Sequence, residues 1–121
     1  IISLINKGIK VGIITNKNSN NAELTLKLIN LDDVIDYCLG SDDVPFTKPN
    51  PIGAEMAMEH FKIQDKSRVI YVGDNTIDFD FATNAGIDCA LLTWGPRKFS
   101  ENTKPKFWVK DFNELYKVIM E

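Results

Sequence analysis

Apolar residues along this chain come in short β-branched runs, separated by longer stretches in which they recur every three or four positions. That alternation is expected of strands and helices in turn. Ile1, Ile2, Leu4 and Ile5 read as the tail of an apolar-faced helix stopped by Gly8, and Val11 to Thr15 (VGIIT) as a buried strand. The polar run Asn16 to Asn21 caps a helix reaching about Leu31, whose residues Ala22, Leu26, Ile29 and Leu24, Leu28, Leu31 predict a wide buried face. Asp36 to Gly40 is a short strand candidate, and Ser41 to Asn50 a polar loop containing Pro45 and Pro49. Pro51 opens a helix that runs to about Lys62 on the stripe Ala54, Ala57, Met58, Phe61. Val69 to Val72 is a strand ended by Gly73 and Asp74, and Asn75 or Thr76 caps the helix that follows. Asp88 to Trp94 is a further strand, Gly95 to Pro105 a loop, and Phe107 to Val109 a short edge strand. Asp111 and Glu114 form a capping-box pattern before a helix that buries Phe112, Leu115, Tyr116 and Ile119.

Strands alternating with helices predict an α/β fold: an open parallel sheet with helices on both faces, whose polar strand ends share one rim. Thr15 and Asn16 follow the first strand, Lys48 precedes the second helix, and Asp74 ends the third strand with Asp78 one helical turn later. Two carboxylates four residues apart, one closing a strand and one opening a helix, suit a hard divalent cation such as Mg²⁺. A hydroxyl and an ammonium on the same rim add what a phosphoryl group requires, orientation and charge compensation. Taken singly, each residue has an ordinary reading. Asp78 and Asp80 complement a helix dipole, Thr15 bonds at a strand end, and Lys48 is a loop charge.

Composition narrows the partners. The chain has 121 residues, 44% of them apolar, and a net charge of −3. With a pI near 5.1, it offers little to nucleic acid or to an anionic membrane, and no apolar run is long enough to span a bilayer. Cys38 and Cys89 lack metal-ligand or CxxC spacing and sit among apolar neighbours, which points to buried reduced thiols and a cytoplasmic setting. His60 reads as a surface or half-buried helix residue, Asp42 and Asp43 as a solvated loop, and Trp94, Phe99, Phe107 and Trp108 as packing around the last strands.

The order ITN, TKPNP and VGDNTIDFDFATNAG resembles motifs two, three and four of the haloacid dehalogenase-like phosphohydrolases, and KPNP with NAG and TWG resembles their phosphoglycolate phosphatase and pyrophosphatase branch. The resemblance implies a Rossmann-like core and a Mg²⁺-dependent phosphatase acting on small phosphorylated metabolites through an aspartyl-phosphate. In it, Thr15 and Asn16 contact the phosphate, Lys48 bridges nucleophile and phosphoryl oxygens, and Asp74 ligates Mg²⁺ while Asp78 completes or orients the metal shell. The family's first motif, DxDxT, which carries the nucleophile, does not occur in this sequence. The expectation is therefore that residues 1–121 are the C-terminal part of a core domain, with the first strand and any cap domain upstream. Were the protein to start here, a phosphate- or metal-binding or interaction domain without catalysis is the alternative. A receiver domain is disfavoured because Lys48 precedes Asp74.

Overall fold

Among the described residues, five short strands and four α-helices follow one another, and the strand pairs are parallel. The computed structural model describes residues 8–31, 35, 37–93 and 103–120. The expected N-terminal helix tail, the Gly95 loop up to residue 102, Trp94 and Phe99 lie outside those residues. The chain divides into two compact units, Ile1–Lys48 with Ile52–Lys62, and Pro49–Pro51 with Ile63–Glu121.

In the first unit β1 (Ile13–Ile14) pairs with β2 (Cys38–Leu39), Ile13 opposite Cys38 and Ile14 opposite Leu39. The pairing continues one residue further at each end, through Ile13 N–H to Tyr37 O at 3.0 Å and Thr15 N–H to Leu39 O at 2.9 Å. Helix α1 (Ser19–Leu28) starts at the N-cap Asn18, whose side chain accepts from Asn21 N–H at 2.8 Å. It stops three residues short of Leu31 because Asn30 turns left-handed, at φ 59°.

The wide buried face expected of this helix is not found. Ala22 and Leu26 are buried, but Leu24 is 56% and Leu28 76% exposed. Residues 24 and 28 point nearly opposite to 22 and 26 on a 3.6-residue helix, so covering Ala22 and Leu26 leaves them outside. Ile29, beyond the helix end, is also exposed. Helix α2 (Ile52–His60) follows Pro51 directly and buries Gly53 and Ala54. At its end Tyr37 stacks on His60 at 3.9 Å and meets Phe61 edge-on, so the surface histidine is part of an aromatic cluster.

The second unit holds β3 (Ile70–Gly73), α3 (Thr76–Ala85), β4 (Asp88–Leu92), β5 (Phe107–Val109) and α4 (Phe112–Met120). A 3₁₀ turn at Lys66–Arg68, which the apolar pattern did not signal, precedes β3 and is capped by Asp65. The strand order is β3-β4-β5, so β5 is at an edge as expected. The period of two along β4 sorts its side chains. Ala90 and Leu92 join Val109 and Leu115 with Ile70, Val72, Val118 and Ile119 in one core, on the α4 side. Cys89 and Leu91 join Ala82 with Tyr71 and Phe79 in another, on the α3 side. Both faces of this sheet are therefore covered by helices, which is why its strands read as apolar runs rather than alternating ones.

Phe107 packs against the first of these cores, whereas Trp108 on the other side of β5 is 45% exposed, against the expectation of packing. Cys89 is buried but Cys38 only partly, and both are free thiols. No helix among the described residues is long and apolar enough to cross a membrane.

Candidate functional site

The carboxyl end of β3 brings together two acidic residues of the second unit. Gly73 closes the strand, Asp74 follows it exposed to solvent, and Asp78 stands in the first turn of α3, 6% exposed. The expected cap is absent, since Asn75 occupies the N-cap position without a side-chain hydrogen bond. Asp78 reaches back instead to the residue before the cap. Its Oδ2 accepts the backbone N–H of Asp74 at 3.2 Å, so the buried carboxylate reaches back over the strand end and fixes the peptide that carries the exposed one. Gly73 makes this possible, because a Cβ there would occupy the space of Asp78's own Cβ and carboxyl carbon.

At its other end α3 closes on Gly86, left-handed at φ 73°, with Ile87 N–H to Ala82 O at 3.0 Å and Gly86 N–H to Thr83 O at 3.1 Å. On the last turn Asn84, not singled out beforehand, donates to the carbonyl of Pro49 at 3.0 Å. Cys89 on β4 has its thiol pushed up to about 12, first by burial and then by the negative charge of Asp78. It is a protonated, inert packing group at neutral pH.

The first unit gathers the other candidates. Thr15, half-buried, follows β1, and its hydroxyl oxygen accepts Lys17 N–H at 3.1 Å. The exposed Asn16 brackets the backbone of half-buried Lys48: its Oδ1 accepts Lys48 N–H at 3.1 Å and its Nδ2 donates to Lys48 O at 3.5 Å.

The start of the lysine loop lies along the same few residues. Ser41 N–H donates to Lys17 O at 2.8 Å, and Asp42 receives both the N–H and the hydroxyl of Ser19, each at 2.7 Å. Those two bonds hold the Asp42 carboxyl below its ordinary range. Asp43 accepts Gly40 N–H at 2.8 Å. Asp42 and Asp43 are exposed loop residues, as expected, and each also accepts hydrogen bonds. Gly40 is required here, since a Cβ would fall 2.6 Å from Ser19 N and 2.9 Å from Lys17 O. The apolar pattern had no means of finding these braces, which lie 23 and 32 residues apart in sequence and involve only polar groups.

The structure therefore brings Thr15, Asn16 and Lys48 together in one unit, and Asp74 and Asp78 together in the other. No group of three or more His, Cys, Asp or Glu side chains able to hold a metal occurs among the described residues.

The model of the haloacid dehalogenase-like hydrolase family matches residues 1–92, which include all five of these residues. The chain belongs to that family. It is 32% identical over 117 residues to a pyrophosphatase, PpaX, of Bacillus anthracis, a match covering 95% of this chain and 54% of that protein. Among solved structures, a predicted phosphoglycolate phosphatase of Haemophilus somnus is similar with a TM-score of 0.88 and 25% identity, over 97% of this chain and 52% of the other. A haloacid dehalogenase-like hydrolase of Bacteroides fragilis is similar with a TM-score of 0.84 and 28% identity, over 94% and 55%. The chain spans about half the length of the curated relatives it matches.

Proposed function

We propose that this chain supplies the phosphate- and metal-contacting part of a Mg²⁺-dependent phosphoric monoester hydrolase acting on small phosphorylated metabolites, phosphoglycolate among them. In this reading residues 1–121 are the C-terminal part of a core domain, and the nucleophilic aspartate and the cap that selects substrate lie upstream. The observation that carries the reading is the pair at the end of β3, an exposed Asp74 whose own peptide N–H is fixed by the buried Asp78.

Its donor set is oxygen alone, which fits Mg²⁺, an ion that takes few protein ligands and keeps several waters. Asp74 would hold the ion directly. Asp78 would orient Asp74, since its Oδ2 is already engaged with a backbone N–H. The bound cation would supply charge stabilisation for the phosphoryl oxygens.

The remaining roles fall to the first unit. Thr15 donates its hydroxyl to the phosphoryl group, and Lys48 offsets the negative charge shared by nucleophile and phosphoryl oxygens. The upstream carboxylate attacks phosphorus, the P–O bond to the substrate breaks, and the leaving oxygen takes up a proton. Water then hydrolyses the acyl phosphate, releasing inorganic phosphate and restoring the carboxylate.

The test is a phosphate-release assay on the full-length gene product with phosphoglycolate, pyrophosphate and a chromogenic phosphomonoester, with and without Mg²⁺. Mg²⁺-dependent release from a monoester, with none from residues 1–121 alone, is expected. Release from pyrophosphate alone would replace the monoester assignment with the one the Bacillus anthracis relative's name carries. Absence of release from all three would remove the enzymatic reading.

A further inference from the structure

We propose that the side chain of Asn16 is a positioning group for Lys48, and that it serves the reaction through the lysine backbone rather than by touching phosphate. The inference rests on the proposed role of Lys48 and refines the place given to Asn16. An asparagine side chain has one acceptor and one donor group, and here both point at the same residue: Oδ1 takes Lys48 N–H and Nδ2 gives to Lys48 O. Bonding both polar atoms of one residue's backbone restrains the flanking peptides, and so the direction in which the Cα–Cβ bond of Lys48 leaves the chain.

The rest of the loop makes that restraint consequential. Its start is anchored by Ser41 on Lys17 and by Asp42 on Ser19, while between Asp43 and Lys48 come three exposed residues of no regular structure, Pro45, Phe46 and Thr47. Asn16 ties the lysine itself to the residues following β1. Thr15, its neighbour, spends its hydroxyl oxygen as acceptor for Lys17 N–H and keeps its own O–H to donate. Two adjacent residues thereby divide the labour: the threonine hydroxyl is available to a phosphoryl oxygen, and the asparagine amide is committed to the lysine.

A misplacement of about 1 Å in a reacting group costs roughly 100-fold in rate, so loss of the bracket should be read mainly in kcat. The experiment is a double-mutant cycle in the full-length gene product with Asn16→Ala, Lys48→Ala and the pair, scored by kcat, KM and the inhibition constant of inorganic phosphate.

The expected result is that Asn16→Ala lowers kcat by about 10- to 100-fold, leaves KM and phosphate inhibition within about threefold of wild type, and adds nothing further in the Lys48→Ala background. Unchanged circular dichroism and at most a slight drop in melting temperature would accompany it, because Asn16 is exposed. Full additivity of the two substitutions would overturn the proposal while leaving the hydrolase reading intact, as would weaker phosphate inhibition at an unchanged kcat. A Lys48→Ala variant as fast as wild type would overturn both.

Discussion

Asp78 is 6% exposed, held beneath the end of a strand whose sheet has helices on both faces, while Asn16 and Lys48 are exposed and half-buried residues of two loops. The acidic pair owes its place to packing: α3 is seated on β3 and β4 by Tyr71, Phe79, Ala82, Cys89 and Leu91, and Asp78 comes with it. The lysine loop owes its place to hydrogen bonds between polar side chains and backbone, drawn from residues 15–19 and 40–48. A packed helix transmits its position through many small contacts, so no single deletion displaces it far. A loop held mainly by hydrogen bonds can be shifted by losing one. On the proposed function, the residues assigned to the metal are set by packing and the lysine by bonds that are more easily disturbed.

The largest effect separating the two regions should come from their glycines. In Gly73→Ala the new methyl collides with the buried Asp78, which has no room to move, and a loss of about 3 kcal/mol or more is expected, with loss of activity in the full-length protein. In Gly40→Ala the approach is less close, 2.6 Å at its nearest, though the atoms met are backbone of Lys17 to Ser19 that must shift, and a smaller loss of about 1–2 kcal/mol is expected. Melting curves of the two variants side by side check this, and an equal or reversed order would break the contrast.

Acidification should act on the loop through Asp42. Its carboxyl is depressed by the Ser19 hydroxyl and N–H, so its contribution is present above the unfolded value of about 3.9 and is lost as pH falls through the folded one. Asp42→Ala should therefore lower the melting temperature slightly at pH 7, and the difference from wild type should shrink below about pH 4. A difference independent of pH would assign the effect to packing. The smallest effect concerns Cys89: raised to about 12 by burial, it should resist iodoacetamide at pH 8 in the native protein and react only on unfolding. Rapid alkylation in the native state would show that the α3 face opens readily.

What the sequence revealed follows the same division. Packed elements announced themselves: the strand Phe107–Val109 was read to the residue, and α4 starts where the Asp111 capping pattern predicts, with Glu114 N–H on Asp111 Oδ1 at 2.8 Å. Strand lengths were overestimated, VGIIT yielding two residues and Asp88–Trp94 five, because apolar composition outlasts ladder pairing. The failure at Leu24 and Leu28 is one of degree. The leucines repeat with the helical period, but on a stripe the structure leaves exposed, and periodicity does not say which of two apolar stripes is covered.

At the site, Asp74, Asp78, Thr15 and Lys48 were legible as residue types at strand ends. Their supports were not. The bonds of Asn16, Asn84 and Asp42 to distant groups carry no periodic signal.

The central claim, that the Asp74–Asp78 pair is the metal-binding end of a phosphatase, is tested most directly by Asp74→Asn in the full-length gene product, assayed for phosphate release across a Mg²⁺ titration. Turnover should fall on the order of 100-fold or more, and the Mg²⁺ concentration giving half-maximal rate should rise, with the melting temperature in the absence of metal unchanged. Wild-type turnover at wild-type Mg²⁺ concentrations would contradict it.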